Sequence, residues 1–296
     1  MGQVAAVVPQ RRTVGRLSLF NSHLGSRGLL SGLVLVLIGA AAVAAPHLYL
    51  PDPTAIRLSS RLLPPGSPEH LLGTDAFGRD LLSRVIWGGR LSLSIGIAAA
   101  LIASSIGAIV GIFVGYAGGR LDRIIMRVVD GLLAFPSILL AIVVAAVLGP
   151  SLLNALLAVA LAGIPFYIRM VRGAVLSIIG QEYILAAESM GASRWRIMTR
   201  AILPNVSSPI LVTFSSHIGW IVIEVASLSF LGLGAQPPTP EWGAMIAESR
   251  QYVSLAPYAV LIPGAVLMVV GICFSLLGDA VRDYLDPITS SLPRYQ

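Results

Sequence analysis

The chain has 296 residues, 56% of them hydrophobic and 11% charged, with a mean hydropathy of +0.85 and a formal net charge of +6. A soluble domain carries roughly 25% charged residues, so an ordinary water-facing surface is excluded and a lipid-embedded bundle is expected. All twenty basic residues are Arg, and they sit at the ends of apolar runs rather than in one stripe, which speaks against a nucleic-acid partner.

Residues 1–28 form a polar, basic segment with Arg11, Arg12, Arg16 and Arg27. No secretory leader is expected, because these residues make too long a region ahead of the first apolar run. That run, 29–45, ends at Pro46. A polar segment follows to Arg90, and the second span is expected at 91–116. A basic turn with Arg120, Asp122, Arg123 and Arg127 leads to a third span at 128–148, broken by Pro136. Gly149 and Pro150 make the next turn. The fourth span, 152–171, contains Pro165. After a long polar stretch come a fifth span at 206–233, a Pro-rich loop, a sixth span at 258–278 and a polar tail at 279–296. A helix needs ~20 residues to cross the hydrocarbon core, so the expected fold class is all-α, a polytopic membrane protein with six transmembrane helices and a short cytoplasmic helix.

Six spans put both termini on one side. With the amino terminus inside, fourteen arginines fall in inner segments and six in outer ones, which favours cytoplasmic termini. Three of the outer six, Arg79, Arg84 and Arg90, crowd the approach to the second span. Leu81, Leu82, Val85 and Ile86 stand at helical intervals between them, as in an amphipathic helix lying in the membrane interface.

Within the spans, Gly107, Gly111 and Gly115 recur every fourth residue, a spacing that lets two helices approach closely. Pro136, Pro165, Pro209 and Pro263 place one potential bend in each of the last four spans. Glu224 is a carboxylate inside the fifth span, where a charge is costly and normally faces protein or a water-filled cavity. His217, seven residues earlier, shares roughly its face. The pair is read as path-lining or structural. No catalytic residues, cofactor ligands or metal ligands are expected. The four histidines are scattered, Cys273 is alone in an apolar run, and without Lys the chain has no phosphate-binding loop of the usual kind.

The longest polar interruption in the second half is EYILAAESMGASRWRIMTRAILP, from Glu182 to Pro204. Nothing breaks a helix from Glu182 to Met190. Gly191 can end it and Ser193 can cap a second helix carrying Arg194, Arg196 and Arg200. Ala187 and Gly191, four apart, are expected on one small-residue face. Periodicity alone leaves two readings open, a helix offered to a soluble partner and a loop whose arginines meet lipid headgroups.

These residues resemble a motif of the inner-membrane permease subunits of binding-protein-dependent ABC importers. There a cytoplasmic loop reads Glu-Ala-Ala, three residues, Gly, nine residues, then Ile-x-Leu-Pro. Ala186, Ala187, Gly191, Leu203 and Pro204 match it, while Leu185 and Ala201 replace the Glu and the Ile. LLGTDAFGRDLLSRVIWGGRLSL (71–93) and EVASLSFLGLGAQPPTPEWGAMI (224–246) are similar to the second permease subunit of dipeptide, oligopeptide and nickel importers. The resemblance covers about residues 25–290.

It implies a coupling helix around Ala186, Ala187, Gly191, Ala192 and Arg194 that docks on a cytoplasmic ATPase. It further implies a homologous, non-identical permease partner, two ATPase subunits or domains that hold the ATP and Mg, an extracytoplasmic substrate-binding protein, and location in the bacterial inner membrane. A peptide is the first expected solute, with nickel or another small solute as the alternative. A secondary transporter and a non-transport scaffold are the readings outside this family.

Overall fold

Helix boundaries in this chain follow from apolar length and from a few capping and breaking residues. The computed structural model describes residues 26–285, so nearly all of the expected 1–28 segment and the end of the 279–296 tail lie outside the described residues. The helices are α1 (Ser26–Ala44), α2 (Leu81–Ala117), α3 (Gly119–Leu133), α4 (Ser137–Leu148), α5 (Leu152–Ile178), α6 (Glu182–Ser189), α7 (Arg194–Phe230), α8 (Trp242–Ser249) and α9 (Tyr258–Leu285). Among the described residues the only extended pairing is two isolated bridges, Ser67 with His70 and Thr74 with Asp80.

The helices overrun the expected spans at several ends: α5 runs to Ile178, α7 begins at Arg194 and α9 runs to Leu285. The second long helix begins at Leu81, not 91, because Asp80 caps it: its carboxylate accepts from the Ser83 N–H at 2.8 Å. Nothing between Leu81 and Leu91 interrupts the helix, so the separate interfacial helix expected there is instead the first turns of α2. Arg79 and Arg84, two of the charges around that expected interfacial helix, are 2% and 1% exposed.

The run expected as one span at 128–148 is two helices bent by 91°. Pro136 supplies no backbone donor, and the chain breaks at 134–136. α3 is amphipathic, with Val129 buried and Ile124 and Val128 exposed. At 12 residues α4 rises ~18 Å, short of the ~30 Å hydrocarbon core. Among the described residues five helices are long and apolar enough to cross a membrane, and the α3–α4 pair makes a sixth if it counts as one span. Pro165, Pro209 and Pro263 stay inside continuous helices.

The bundle is built on close helix pairs. α2 lies along α5, and its glycine row is the contact. A Cβ on Gly111 would stand 2.8 Å from the Val171 Cβ and 3.0 Å from the Ile168 carbonyl oxygen, and one on Gly115 would stand 2.9 Å from Val175. The spacing of four on one helix thus meets Tyr167, Val171 and Val175 at the same spacing on the other. α7 lies against α9 in the same way, with Gly219 against Gly271 and Phe274. Gly111→Val is therefore expected to push α2 from α5, costing ~1–3 kcal/mol by overpacking. The measurement is the thermal midpoint of the detergent-solubilised permease; an unchanged midpoint would refute the close contact. Cys273 is buried in the α9 interior.

Candidate functional site

Three places hold polar chemistry in this apolar chain. The first is the turn between α6 and α7. α6 buries Ile184 and runs to Ser189. Its end is a complete Schellman motif: the Ala192 N–H donates to the Ala187 carbonyl at 3.1 Å and the Gly191 N–H to the Glu188 carbonyl at 2.9 Å. Gly191 closes it at φ +75°, a conformation open to glycine. Ser193 then caps α7, its hydroxyl accepting from the Arg196 N–H at 3.4 Å. The first turns of α7 include a π-helical stretch, Met198–Ile202, before Leu203 and Pro204 carry it on.

The expected small residues do share a surface, though not one helix face: Ala187, Gly191, Ala192 and Ala201 line one pocket at the turn with Met190. Ala187 turns inward and packs with Ala192 and Ala201 against a core of Ile112, Val171, Val175, Ile184, Ile197, Ile202 and Val206. Gly191 leaves the helix altogether, with nothing within 4 Å of where its Cβ would stand. Ala186, Arg194, Leu203 and Pro204 are exposed. The surface actually offered is apolar and was missed in the sequence. Met190 is 81% exposed and Trp195 73%, flanked by the exposed Tyr183 and Leu185. The signal was present: the interruption carries large apolar side chains on both sides of Gly191, and Met190 and Trp195 flank the turn directly.

The turn is firmly held to the spans. α5 runs directly into it, and the Tyr116 hydroxyl at the end of α2 donates to Glu188 at 3.1 Å. Arg172 on α5 grips Asp122 on α3 through two bonds, at 3.0 and 2.6 Å. Arg169 pairs with Asp130. Because these second pairs are partly exposed, Arg172→Ala is expected to cost below about 1 kcal/mol. A thermal midpoint shifted as far as that of a core substitution would contradict this.

The second place is at the other end of α2, where the 71–93 and 224–246 motifs meet. Arg79 donates to Asp75 at 2.6 Å and to Glu248 at 2.5 Å. Arg84 donates to the same Glu248 oxygen at 2.9 Å and to the Pro53 and Pro238 carbonyls at 3.1 and 3.3 Å. His70 is hydrogen-bonded to Asp80 at 2.9 Å. Glu241 caps α8 and accepts from Ser92 at 2.9 Å. Burial pushes its carboxyl above the usual carboxylate range, against the bonds from Gly243, Ala244 and Ser92 that pull it down. Trp242 is fully buried over Gly88 and Gly89 and donates to the Val85 carbonyl at 2.9 Å. The loop after α7 is thereby clamped to the start of α2.

The third place is a cavity of ≈ 230 Å³ where the α3–α4 break meets α5 and α7. Glu224 and His217 both line it, so the structure brings the expected pair together. Glu224 is 5% exposed. Its Oε1 accepts from the Ser137 hydroxyl at 2.5 Å and from the Trp220 indole N–H at 3.1 Å. The His217 ring stacks on Phe166 at 4.7 Å. Among the described residues no three His, Cys, Asp or Glu side chains converge as metal ligands.

Comparison with known proteins bears on what such a bundle does. A family model described as "binding-protein-dependent transport system inner membrane component" matches residues 107–290, which include the Gly191 turn and the Glu224 cavity. The chain is 43% identical over 268 residues to the dipeptide transport system permease protein DppC of Haemophilus influenzae, covering 88% of this chain and 91% of that protein. It is 45% identical over 257 residues to the probable D,D-dipeptide transport system permease protein DdpC of Escherichia coli, covering 87% and 86%. It is 46% identical over 257 residues to the glutathione transport system permease protein GsiD of Pectobacterium atrosepticum, covering 87% and 85%. Its fold is similar to a chain of the MetNI methionine ABC transporter in an inward-facing conformation, with a TM-score of 0.59 at 19% identity, covering 70% of this chain and 98% of that one. At that identity the likeness speaks for the fold alone. A multi-pass apolar bundle, a family match across more than half the chain and relatives aligned nearly end to end agree: this chain belongs to the family of inner membrane components of binding-protein-dependent transport systems.

Proposed function

We propose that this permease imports short peptides across the bacterial inner membrane in an ATP-driven complex. The carrying observation is the identity of 43–46% over 87–88% of the chain to permeases named for dipeptides, D,D-dipeptides and glutathione. In this reading a homologous, non-identical permease forms the other half of the path. A substrate-binding protein delivers the peptide from outside. Two cytoplasmic ATPase subunits or domains hold the ATP and Mg and perform the hydrolysis, and this chain performs none. Both termini and α6 are cytoplasmic.

The α6–α7 turn then works as a lever. Met190, Trp195, Leu185 and Tyr183 seat in an apolar groove on the ATPase, with Arg194 and Ala186 at the rim. Gly191 and Ala192 fix the angle of the turn. Leu203 and Pro204 carry the displacement into α7. The contacts of Ala187 with the α2–α5 core make the lever stiff, so that closure of the ATPases moves helices rather than bending a loop.

Uptake of a labelled dipeptide by cells carrying the whole complex tests the transport reading. It is expected to vanish when the ATPase phosphate-loop Lys is replaced; persistence would overturn ATP drive. Orientation is tested by Ser189→Cys in a Cys273→Ser background. A membrane-impermeant maleimide is expected to label it only after permeabilisation, and labelling of intact spheroplasts from outside would reverse the topology.

A further inference from the structure

We propose that the Glu224 cavity is a transient site for the primary ammonium group of the transported peptide. The proposal rests on the peptide-import reading and names the group of the substrate that this chain itself would recognise.

Glu224 is a carboxylate buried deep in an apolar bundle. Such a charge is costly unless a counter-charge or several donors meet it. Within the chain it receives two neutral donors, Ser137 and Trp220, and both fall on Oε1. No hydrogen bond reaches Oε2. No arginine lines the cavity, and the chain has no Lys. Apart from the imidazole of His217, the lining offers the carboxylate no cationic side chain, and a substrate ammonium would supply the missing counter-charge.

The walls say what kind of cation fits. Trp220, Phe166 and His217 line the cavity with the carboxylate, Trp220 giving it an N–H bond, and Phe135 lies at the break between α3 and α4. Aromatic faces attract a cation by their quadrupole, and the attraction is strongest for Trp and for a desolvated cation. A carboxylate with one oxygen free of hydrogen bonds, in a cavity otherwise lined mostly by apolar and aromatic side chains, suits a compact ammonium with three donors. The ≈ 230 Å³ volume is below the ~300–1,000 Å³ of sites that enclose a whole small ligand. It has room for the end of a chain, not for a dipeptide with its side chains. The end group is common to every unblocked peptide, so a site for it would favour a free amino terminus over a blocked one while tolerating any side chain.

Position supports a transient role. The walls come from α4, α5, α7 and the end of α3, and the chain bends by 91° at the α3–α4 break. Movement of α7 against that break would open or close the cavity, so the ammonium would be held in one state of the cycle and released in the other.

The test uses the complete permease–ATPase complex in nanodiscs without the binding protein, which has its own affinity for peptides. Tryptophans are replaced biosynthetically by 5-fluorotryptophan, and the Trp220 fluorine resonance is assigned with Trp220→Phe. Alanyl-alanine amide is titrated against its N-acetyl counterpart. The free amine is expected to shift the Trp220 resonance saturably, and the acetylated compound to leave it in place. Glu224→Gln is expected to weaken the response roughly 10- to 100-fold, the range for losing a hydrogen bond to a charged group. Because Glu224→Gln can fail to assemble, the comparison of the two compounds on unaltered protein stands alone. Equal shifts from both compounds, or no shift from either, would overturn the site. Dipeptide uptake by cells carrying the same complex separates the two readings: normal ATP-dependent uptake beside a silent Trp220 resonance defeats the ammonium site and leaves peptide import standing.

Discussion

Gly191→Val is expected to give a permease that reaches the membrane and assembles but transports at least about tenfold more slowly per complex. The residue stands at φ +75°, where an L side chain pays roughly 1–2 kcal/mol and a β-branched one more. The cost falls on a single turn, so the spans still fold. What changes is the path of the chain between Met190 and Ser193. The two Schellman bonds, from Ala192 to Ala187 and from Gly191 to Glu188, require that conformation. Without them the apolar surface around Met190 and Trp195 loses its fixed angle to α7.

A second variant identifies the cause. Nothing lies within 4 Å of a Cβ placed on Gly191, so crowding inside this chain is not the issue. Asn adopts the left-handed conformation more readily than other non-glycine residues. Gly191→Asn is accordingly expected to retain most uptake. The measurement is uptake per assembled complex together with ATP hydrolysis stimulated by loaded binding protein. Wild-type uptake in Gly191→Val would refute the conformational argument. Equal damage from Asn and Val would mean that Gly191 is instead a close contact with the ATPase.

Arg84→Ala is expected to be the most destabilising single change at the other end of the bundle, at about 3–5 kcal/mol, the cost of removing one partner from a buried ion pair. Arg84 is 1% exposed and reaches Glu248, Pro53 and Pro238 at once. Its loss leaves two carbonyl oxygens and part of a carboxylate without donors in a site water does not reach freely. The segment before α2 and the loop after α7 would both come loose from the helix start. Arg84→Lys is expected to rescue little, because an ammonium cannot span partners arranged around a planar fork. Loss of mature permease from the membrane, or a collapsed thermal midpoint in what remains, is the result to look for. A variant as stable as the parent would show that the network is ornamental to folding.

The two sites differ in how they can be read. The Gly191 turn is written in nearby residues: a helix-forming run, a glycine, a capping serine and a proline thirteen residues after the glycine. Capping and turn chemistry act over a handful of positions, so they survive inspection of a sequence alone. The orientation of Ala187 did not. Counting four residues from Ala187 to Gly191 assumes the helix continues, and it ends in between. The outward face fell instead to Met190 and Trp195.

Arg79 and Arg84 make the same point at longer range. Their spacing with Leu81, Leu82, Val85 and Ile86 fits a helix in the membrane interface, and the helix is there. Its arginines are buried because Glu248, 164 residues further along the chain from Arg84, is brought beside them by the loop after α7. No local pattern announces that partner. Likewise the sequence shows a break at Pro136 but not its angle of 91°; that depends on α3 lying along α5, where Arg172 meets Asp122 and Arg169 meets Asp130. That bend in turn creates the cavity where Ser137 meets Glu224.

The sequence by itself determined the lipid-embedded helical class, the helix-turn-helix at Gly191 and the resemblance to importer permeases, because apolar run length, turn chemistry and a short motif are all properties of neighbouring residues. Only the tertiary structure decided which charges are buried, which alanine faces inward and that Glu224 and His217 share one cavity with three aromatic walls. Those outcomes depend on which helices lie side by side, and in a bundle joined by glycine rows that choice is made by contacts between residues far apart in the chain.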